Sequence, residues 1–383
     1  MSGKVLHVIK TVSIANDGRL QKWISFLNQS GYASDVFILQ DDNEQGSSNS
    51  YGAHVTRTHL SSRRLFPKRK GYLVKIPEYY MKFRHFIKCC KSPYDIIIFH
   101  DVQQYLNLAA YLTRKHRNAK VIWDLHELPH TITYRLPLAR RVMSKILSTV
   151  DCLVYTNVER REFMREKFNH REKNFTILNN FPEKSFNLAP IQELPQNVLT
   201  WLNGERYILW LGVTNNARNF RSFFSVYSKH YISEFKLIII GKIDAEFKKD
   251  IEHLKDAGRV YNDYVSQEEI IKYIDSAHFS VVLYNATSPN NLYCEPNRLY
   301  QLVNRHIPII VGSNPTMRNI VKAQNAGVVL ADDGSSEVLM HDGFKKLLDG
   351  YDDYKVSLLA STYKDTHSIE TQFEDVIGTL KAL

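Results

Sequence analysis

The chain has 383 residues, 44% hydrophobic and 23% charged, with 16 Gly, 12 Pro, 4 Cys and a formal net charge of +10. That apolar fraction excludes disorder, collagen-like repeats and low-complexity polymers, and the length predicts about two domains of roughly 100 to 200 residues each. Cys89, Cys90, Cys152 and Cys294 have no paired spacing, which excludes a disulfide scaffold and a structural zinc site and points to a reducing compartment.

The opening MSGKVLHVIKTVSI reads as a strand over 4–10, broken by Lys4, His7 and Lys10 and unlike a signal peptide. No later segment has the roughly 18 to 20 apolar residues of a membrane span, so a cytoplasmic protein is expected. Further strands are predicted over 34–39, 95–100, 120–126, 152–156 and 175–178. A helix over 19–29 places Leu20, Trp23, Ile24 and Leu27 on one face, and a second helix covers 102–117. The acidic, polar segment 41–52 reads as a mobile surface loop. After Pro182 the sequence loosens into a linker, and new strands follow over 207–212, 236–241, 280–284, 307–311 and 328–331. Alternating strands and helices predict an α/β protein with largely parallel sheets. The domains are expected at 1–185 and 202–362, joined by a linker over 186–201, with a C-terminal helix over 363–383 that packs back on the first domain. Ligands in such sheets bind beyond the carboxyl ends of the strands, and with two domains the cleft between them is the natural site.

Charge divides unevenly. Residues 1–185 hold 30 Lys+Arg against 16 Asp+Glu, a net of +14, and the remainder holds 20 against 24, a net of −4. Between Arg57 and Lys91 eleven basic residues face one acid, Glu78, and aromatic and aliphatic residues interleave with them. Such a segment suits an anionic surface, and Arg63, Arg64, Lys68, Arg69 and Lys70 are expected to meet a membrane. The alternative is a solvated helix face with ordinary core aromatics.

Glycine is scarce, and neither G-x-G-x-x-G nor G-x-x-x-x-G-K-[ST] occurs, so any phosphate is held by other means. Glu295-Pro296-Asn297-Arg298 opens an apolar helix, with Pro296 suited to the first helical position, and a helix N-terminus is a ready anion site. In LWLGVTNNARNFRSFF, Arg218 and Arg221 follow a strand end, and arginine's planar fork suits phosphate. In the first half, His100-Asp101 and D-L-H-E at 124–127 emerge at strand ends. His126 could donate to a sugar hydroxyl or a leaving phosphate, and Asp101 or Asp124 could act as base or acceptor. A structural cap or salt bridge is the alternative for each. No metal-ligand spacing and no nucleophile elbow is present.

On these elements the chain resembles the GT-B glycosyltransferases, and within them the family 4 group of bacterial polysaccharide enzymes, nearly end to end. The matching strings are NDGRLQKWISFLNQSGYASDVFIL, YDIIIFHD, KVIWDLHE, VDCLVYTNVERREFM, ILNNFP, LWLGVTNNARNF, YVSQEEIIKYIDSAHFSVVLY, EPNRLYQLVNRHIPIIVG and NAGVVL. The resemblance implies two Rossmann-like domains facing each other across a cleft, and a retaining, metal-independent transfer from a nucleotide sugar held mainly by the second domain. It implies that Arg218 neutralises the diphosphate with Arg221 as helper, that Arg298 lies near the nucleotide, that His126 contacts the donor sugar, and that Arg19 borders phosphate and acceptor. The family's E-x7-E pattern falls here at Tyr293 and Gln301; Gln301 can still bond ribose hydroxyls, Glu295 lies close enough to substitute for one glutamate, and Asn297 is expected among the donor-binding residues. Asn219 and His306 stand where the family has glycine.

The expected function is transfer of a sugar from a nucleotide-sugar donor to a glycan or lipid-linked acceptor in cell-surface polysaccharide synthesis, at the cytoplasmic face of the membrane, with no cofactor. In a retaining reaction the leaving phosphate helps deprotonate the acceptor; in an inverting one Asp101 or Asp124 would be the base. The rivals are an epimerase or hydrolase on the same fold, and a non-catalytic basic protein that binds membrane or nucleic acid. No nucleic-acid module is recognised, so a nucleic-acid partner is not expected.

Overall fold

The computed structural model describes residues 3–11, 13–40, 46–66, 72–90, 93–113 and 118–383. The chain divides into two compact units, one of residues 1–178 with 372–383 and the other of residues 179–371. The sequence reading put the first boundary at 185; the chain changes unit at Leu178, and the expected linker 186–201 carries helical turns of the second unit.

The first unit is built on an eight-stranded sheet. Its strands are β1 (Lys4–Thr11), β2 (Ala33–Gln40), β3 (Gly46–Ser50), β4 (Ala53–Thr58), β5 (Ile96–His100), β6 (Lys120–Leu125), β7 (Cys152–Tyr155) and β8 (Phe175–Ile177), in the order β3-β4-β2-β1-β5-β6-β7-β8. All pairs are parallel except β3 with β4. β5 (IIIFH) is buried along its whole length, the near-continuous apolar run of a sheet covered on both faces. The helices are α1 (Gly18–Gln29), α2 (Tyr72–Cys89), α3 (Tyr105–Leu112), α4 (Thr131–Arg135), α5 (Pro137–Thr149) and α6 (Val158–Phe168). Asp17 caps α1 by accepting from Leu20 N, and Leu20, Trp23, Ile24 and Leu27 are its buried face, as the spacing predicts. Strand order reverses between β1 and β5, so the carboxyl ends of these strands open a crevice.

The second unit has six parallel strands, β9 (Tyr207–Leu211), β10 (Lys236–Ile240), β11 (Val260–Asp263), β12 (Phe279–Val282), β13 (Ile309–Val311) and β14 (Gly327–Val329), in the order β11-β10-β9-β12-β13-β14. Its reversal lies between β9 and β12. Asn219 (φ 46) and His306 (φ 61), which stand where the resembled family has glycine, both hold the left-handed backbone that glycine would supply. The His306 ring is fixed at 2.7 Å from the Leu358 carbonyl.

The loop expected over 41–52 is in part strand: GSSNS of β3 pairs with β4. It carries no apolar alternation, so only its partner reveals it. The helix expected over 102–117 starts as a short 3-10 turn at Val102–Gln104 and continues as α3 to Leu112; residues 114–117 lie outside the described residues. The basic and aromatic segment divides by side chain. Tyr79 and Phe83 are buried; Tyr79 stacks on Phe37 of β2, and Phe83 and Phe86 pack tilted against the same ring, as core aromatics do. Arg64 is exposed, Arg63 is half-buried, and Lys68, Arg69 and Lys70 lie outside the described residues. Glu78 accepts from the backbone N–H of Ser61 and Ser62 at 2.5 and 3.0 Å.

Candidate active site

In the first unit Asp124 is the centre. It lies on β6, fully buried, and its carboxylate accepts from Arg19 Nε and Nη2 (3.1 and 2.8 Å), Trp23 Nε1 (2.7 Å), His100 Nδ1 (3.2 Å) and His126 Nε2 (2.8 Å). Arg19 sits in the first turn of α1 and Trp23 one turn later, so both reach the same carboxylate. Burial pushes the Asp124 pKa up, but the Arg19 guanidinium, His126 and the histidine hydrogen bonds outweigh it and hold the carboxyl well below its ordinary value. Behind it His100 Nε2 lies 3.0 Å from His7 Nδ1, the two rings stacked and fully buried. Burial lowers the pKa of both, most for His7, whose neighbour His100 lowers it further. Two neutral imidazoles therefore back an ionised carboxylate, with the bridging proton on His7 Nδ1 when His100 donates to Asp124.

This arrangement changes two expected roles. Asp124 is fully buried, with four of the five donors on Oδ2 and Arg19 Nη2 on Oδ1, so it orients Arg19 and His126 and is not open to a substrate. Asp101, held at φ 69, caps the turn after β5 by accepting from Val102 N at 2.7 Å and does not join the cluster. His126 is the most exposed member, with 23% of its side chain accessible against 15% for Arg19, and Arg160 donates to its backbone carbonyl. Arg19 Nη1 also donates to the Leu178 carbonyl at 3.0 Å. His100, Asp124 and His126 bring potential metal ligands within 4.8 Å of one another, but the atoms a cation would take are engaged with each other and with Arg19.

In the second unit the centre is a pair of arginines. Arg298, in the first turn of the helix Asn297–Asn304, and Arg218, after β9, converge on Gly212, the residue that follows β9. Gly212 has φ 104, and a Cβ there would collide with Arg218 and lie 2.8 Å from Arg298 Nη1. Arg298 donates to the Leu211 carbonyl, and both guanidinium groups lie over the Tyr284 ring, at 5.4 Å for Arg218 and 5.1 Å for Arg298. Arg298 is buried, yet its Nε and Nη2 have no hydrogen-bond partner. Burial pulls its pKa down to about 10; Tyr284 opposes the fall and Arg218 adds a lesser push to it. Two like charges so close, one desolvated and uncompensated, form a site built for an anion.

The other expected donor residues divide. Pro296 is the cap of the helix and not its first residue, and no side chain caps that N-terminus. Asn297 is exposed at its first position. Glu295 is buried and accepts from Asn179 Nδ2 (2.6 Å) and from the Tyr300 hydroxyl, which makes it a brace for this helix. Gln301 is buried and donates to Gln267 at 3.3 Å. Arg221 does not reach the pair: it is 64% exposed, bonded to Glu246 and set over Phe247. His7, Trp23 and Tyr284 were missed by sequence reasoning. A histidine inside the apolar run VLHVI was a usable signal; a Trp on an apolar helix face and a Tyr at a strand end were not.

Residues 19–180 match the family described as glycosyl transferase 4-like domain. A search of curated protein sequences returns no match. Among solved structures, α,α-trehalose-6-phosphate synthase from Burkholderia multivorans is 11% identical with a TM-score of 0.71, covering 100% of this chain and 99% of that one. A structure from E. coli described as trehalose-6-phosphate bound with UDP-2-fluoro-glucose is 11% identical with a TM-score of 0.72, covering 100% and 99%. A glycosyltransferase from Rickettsia africae is 10% identical with a TM-score of 0.70, covering 99% and 98%. The two parallel-sheet units and these likenesses show the GT-B fold, within which residues 19–180 match a glycosyl transferase 4-like domain.

Proposed function

We propose that the protein transfers a sugar, with retention and without a metal, from a nucleotide-diphosphate sugar to a glycan or lipid-linked acceptor in cell-surface polysaccharide synthesis, at the cytoplasmic face of the membrane. The observation that carries the donor half is Arg298, a buried guanidinium with Nε and Nη2 unpartnered beside Arg218. A diphosphate there would take both cations and the free N–H groups of the helix at Asn297, and the same cations would stabilise the charge that develops on the leaving nucleotide. With two fixed cations at the phosphate, the charge a metal would supply is already in place. The UDP-2-fluoro-glucose in the E. coli structure supports a UDP sugar as the first donor to try.

In the first unit Asp124 holds Arg19 and His126 as fixed donors. Arg19 keeps an acceptor phosphate or pyrophosphate in place, and His126 donates to a sugar hydroxyl. A neighbouring structure contains glucose-6-phosphate, so a soluble sugar phosphate belongs in the acceptor panel beside the lipid-linked one. The anionic membrane meets the basic side at Arg63 and Arg64 and the adjoining Lys68, Arg69 and Lys70; nucleic acid has no role.

The test is a thermal-shift panel of nucleoside diphosphates and nucleotide sugars. Ligand at a hundredfold excess over Kd stabilises by about 2.7 kcal/mol, so UDP raises the Tm of the natural protein, and Arg218→Ala loses both that shift and transfer while melting as before. A UDP shift undiminished in Arg218→Ala overturns the assignment.

A further inference from the structure

The turn joining α4 to α5 carries a surface that the transfer reaction does not use. Ile132, Leu136, Leu138 and Val142 are all exposed, Leu138 to 75% and Ile132 to 57%, although large aliphatic side chains clustered on a surface usually mark an interaction site. Among them stand Arg135, Arg140, Arg141 and Lys145, also exposed. None of these cations has an ion pair or side-chain hydrogen bond with another described residue. No acidic residue occurs between Glu127 and Asp151.

The platform beneath is preformed. Met143, Ile146 and Leu147 bury the inner face of α5, and Tyr134 packs edge-on against Phe163 and Phe168 of α6, at 5.6 and 6.3 Å, to hold α4. At helical spacing Leu138 lies beside Arg141 and Val142 on the outward face of α5. Leu136 is the N-cap of α5 and Pro137 its first residue, and both are exposed.

We infer that this α4–α5 turn is a docking surface for an anionic phospholipid bilayer, with the leucines entering the headgroup boundary and the four cations ringing them. Charge selects this occupant. A second copy of the chain would bring the same unpaired cations face to face, which repels. Nucleic acid would call for aromatic platforms, and the exposed apolar groups here are aliphatic. Aliphatic side chains with long basic stems that reach outward suit the boundary between acyl chains and phosphates.

The surface is independent of the donor site and of Arg63 and Arg64, and the experiment separates the three. The full chain is sedimented with vesicles of phosphatidylcholine alone and of phosphatidylcholine mixed equally with phosphatidylglycerol, at low salt. Binding is expected only with phosphatidylglycerol, reduced roughly tenfold or more by Leu136→Ser with Leu138→Ser and by Arg140→Glu with Arg141→Glu. Each pair keeps the UDP thermal shift, which certifies the fold and leaves the donor reading untouched. The phosphatidylglycerol vesicles also slow tryptic cleavage after Arg140 and Arg141 in the natural protein. The inference is overturned by binding that either pair leaves unchanged, by equal binding to neutral vesicles, by a loss confined to Arg63→Glu with Arg64→Glu, or by self-association that Leu136→Ser with Leu138→Ser relieves in the absence of vesicle binding.

Discussion

Asp124 in the first unit and Arg298 in the second are both buried charges at the carboxyl end of a parallel sheet, yet their surroundings are opposite. Asp124 is the acceptor for five donors, and Arg19 supplies the countercharge. Arg298 has a backbone carbonyl, an aromatic face and a second arginine, and no carboxylate bonded to it among the described residues. The first site is complete within the protein and its product is geometry: two polar groups, Arg19 and His126, held still. The second is complete only with an anion, and it stores the cost of desolvating a cation until one arrives.

The sharpest way to break this contrast is to delete both charges. Asp124→Ala leaves Arg19, Trp23 and two histidines without their shared acceptor and is expected to cost about 3 to 5 kcal/mol of stability, read by denaturant unfolding of the ligand-free protein. Arg298→Met has the opposite sign: removing an uncompensated buried charge is neutral or stabilising by about 1 to 4 kcal/mol, while the UDP thermal shift disappears. Equal losses in the two variants would erase the distinction.

A smaller effect sharpens it through pH. His7 and His100 have folded pKa values below the ordinary ~6.5 of histidine, so the unfolded chain binds more protons below that pH. Their contribution is intact above about 6.5 and is lost as pH falls toward their folded values; the Asp124 contribution, with its lowered pKa, persists above the ordinary ~3.9 of aspartate and is lost below it. Replacing His7 with Phe, which retains a stacked ring, removes one titrating group and is expected to flatten the acid limb of stability by up to about 1.4 kcal/mol per pH unit. Melting curves between pH 4 and 7, a window set by those ordinary values, check this, and an unchanged slope assigns the acid sensitivity to other histidines. The smallest effect belongs to Arg221→Ala, which breaks an exposed pair with Glu246 and is expected to change stability by less than about 1 kcal/mol and leave UDP binding as it was. A large loss of UDP affinity would restore Arg221 to the donor site.

Much of this was legible before any coordinates. Alternating apolar strands and helix faces give both sheets, because a strand buried on two sides must be apolar throughout. What escaped was set by partners distant in sequence. β3 is polar and exists by pairing with β4. Asp124 and His126 were visible as ionisable residues at a strand end, but no local pattern shows that Arg19, His100 and Trp23 converge on one of them. Arg218 and Arg221 are chemically alike and three residues apart; only the fold, which aims one at Gly212 and the other at Glu246, separates them. Asn219 and His306 depart from a glycine pattern in the sequence, and the backbone there retains positive φ all the same.

The order in which the chain is synthesised acquires meaning from residue 373. Phe373 stacks on Phe26 at 4.5 Å and meets the Trp23 ring edge-on at 5.0 Å, and Trp23 is the indole that donates to Asp124. All eight strands of the first sheet, and then the whole second unit, are translated before this ring is available. Domains generally fold as units in order of synthesis, but here the first unit receives part of the wall behind its active-site helix from residues that follow the second unit in the chain. Nascent chains halted after the second unit would therefore carry a formed donor site and a first unit whose Trp23 still lacks its cover.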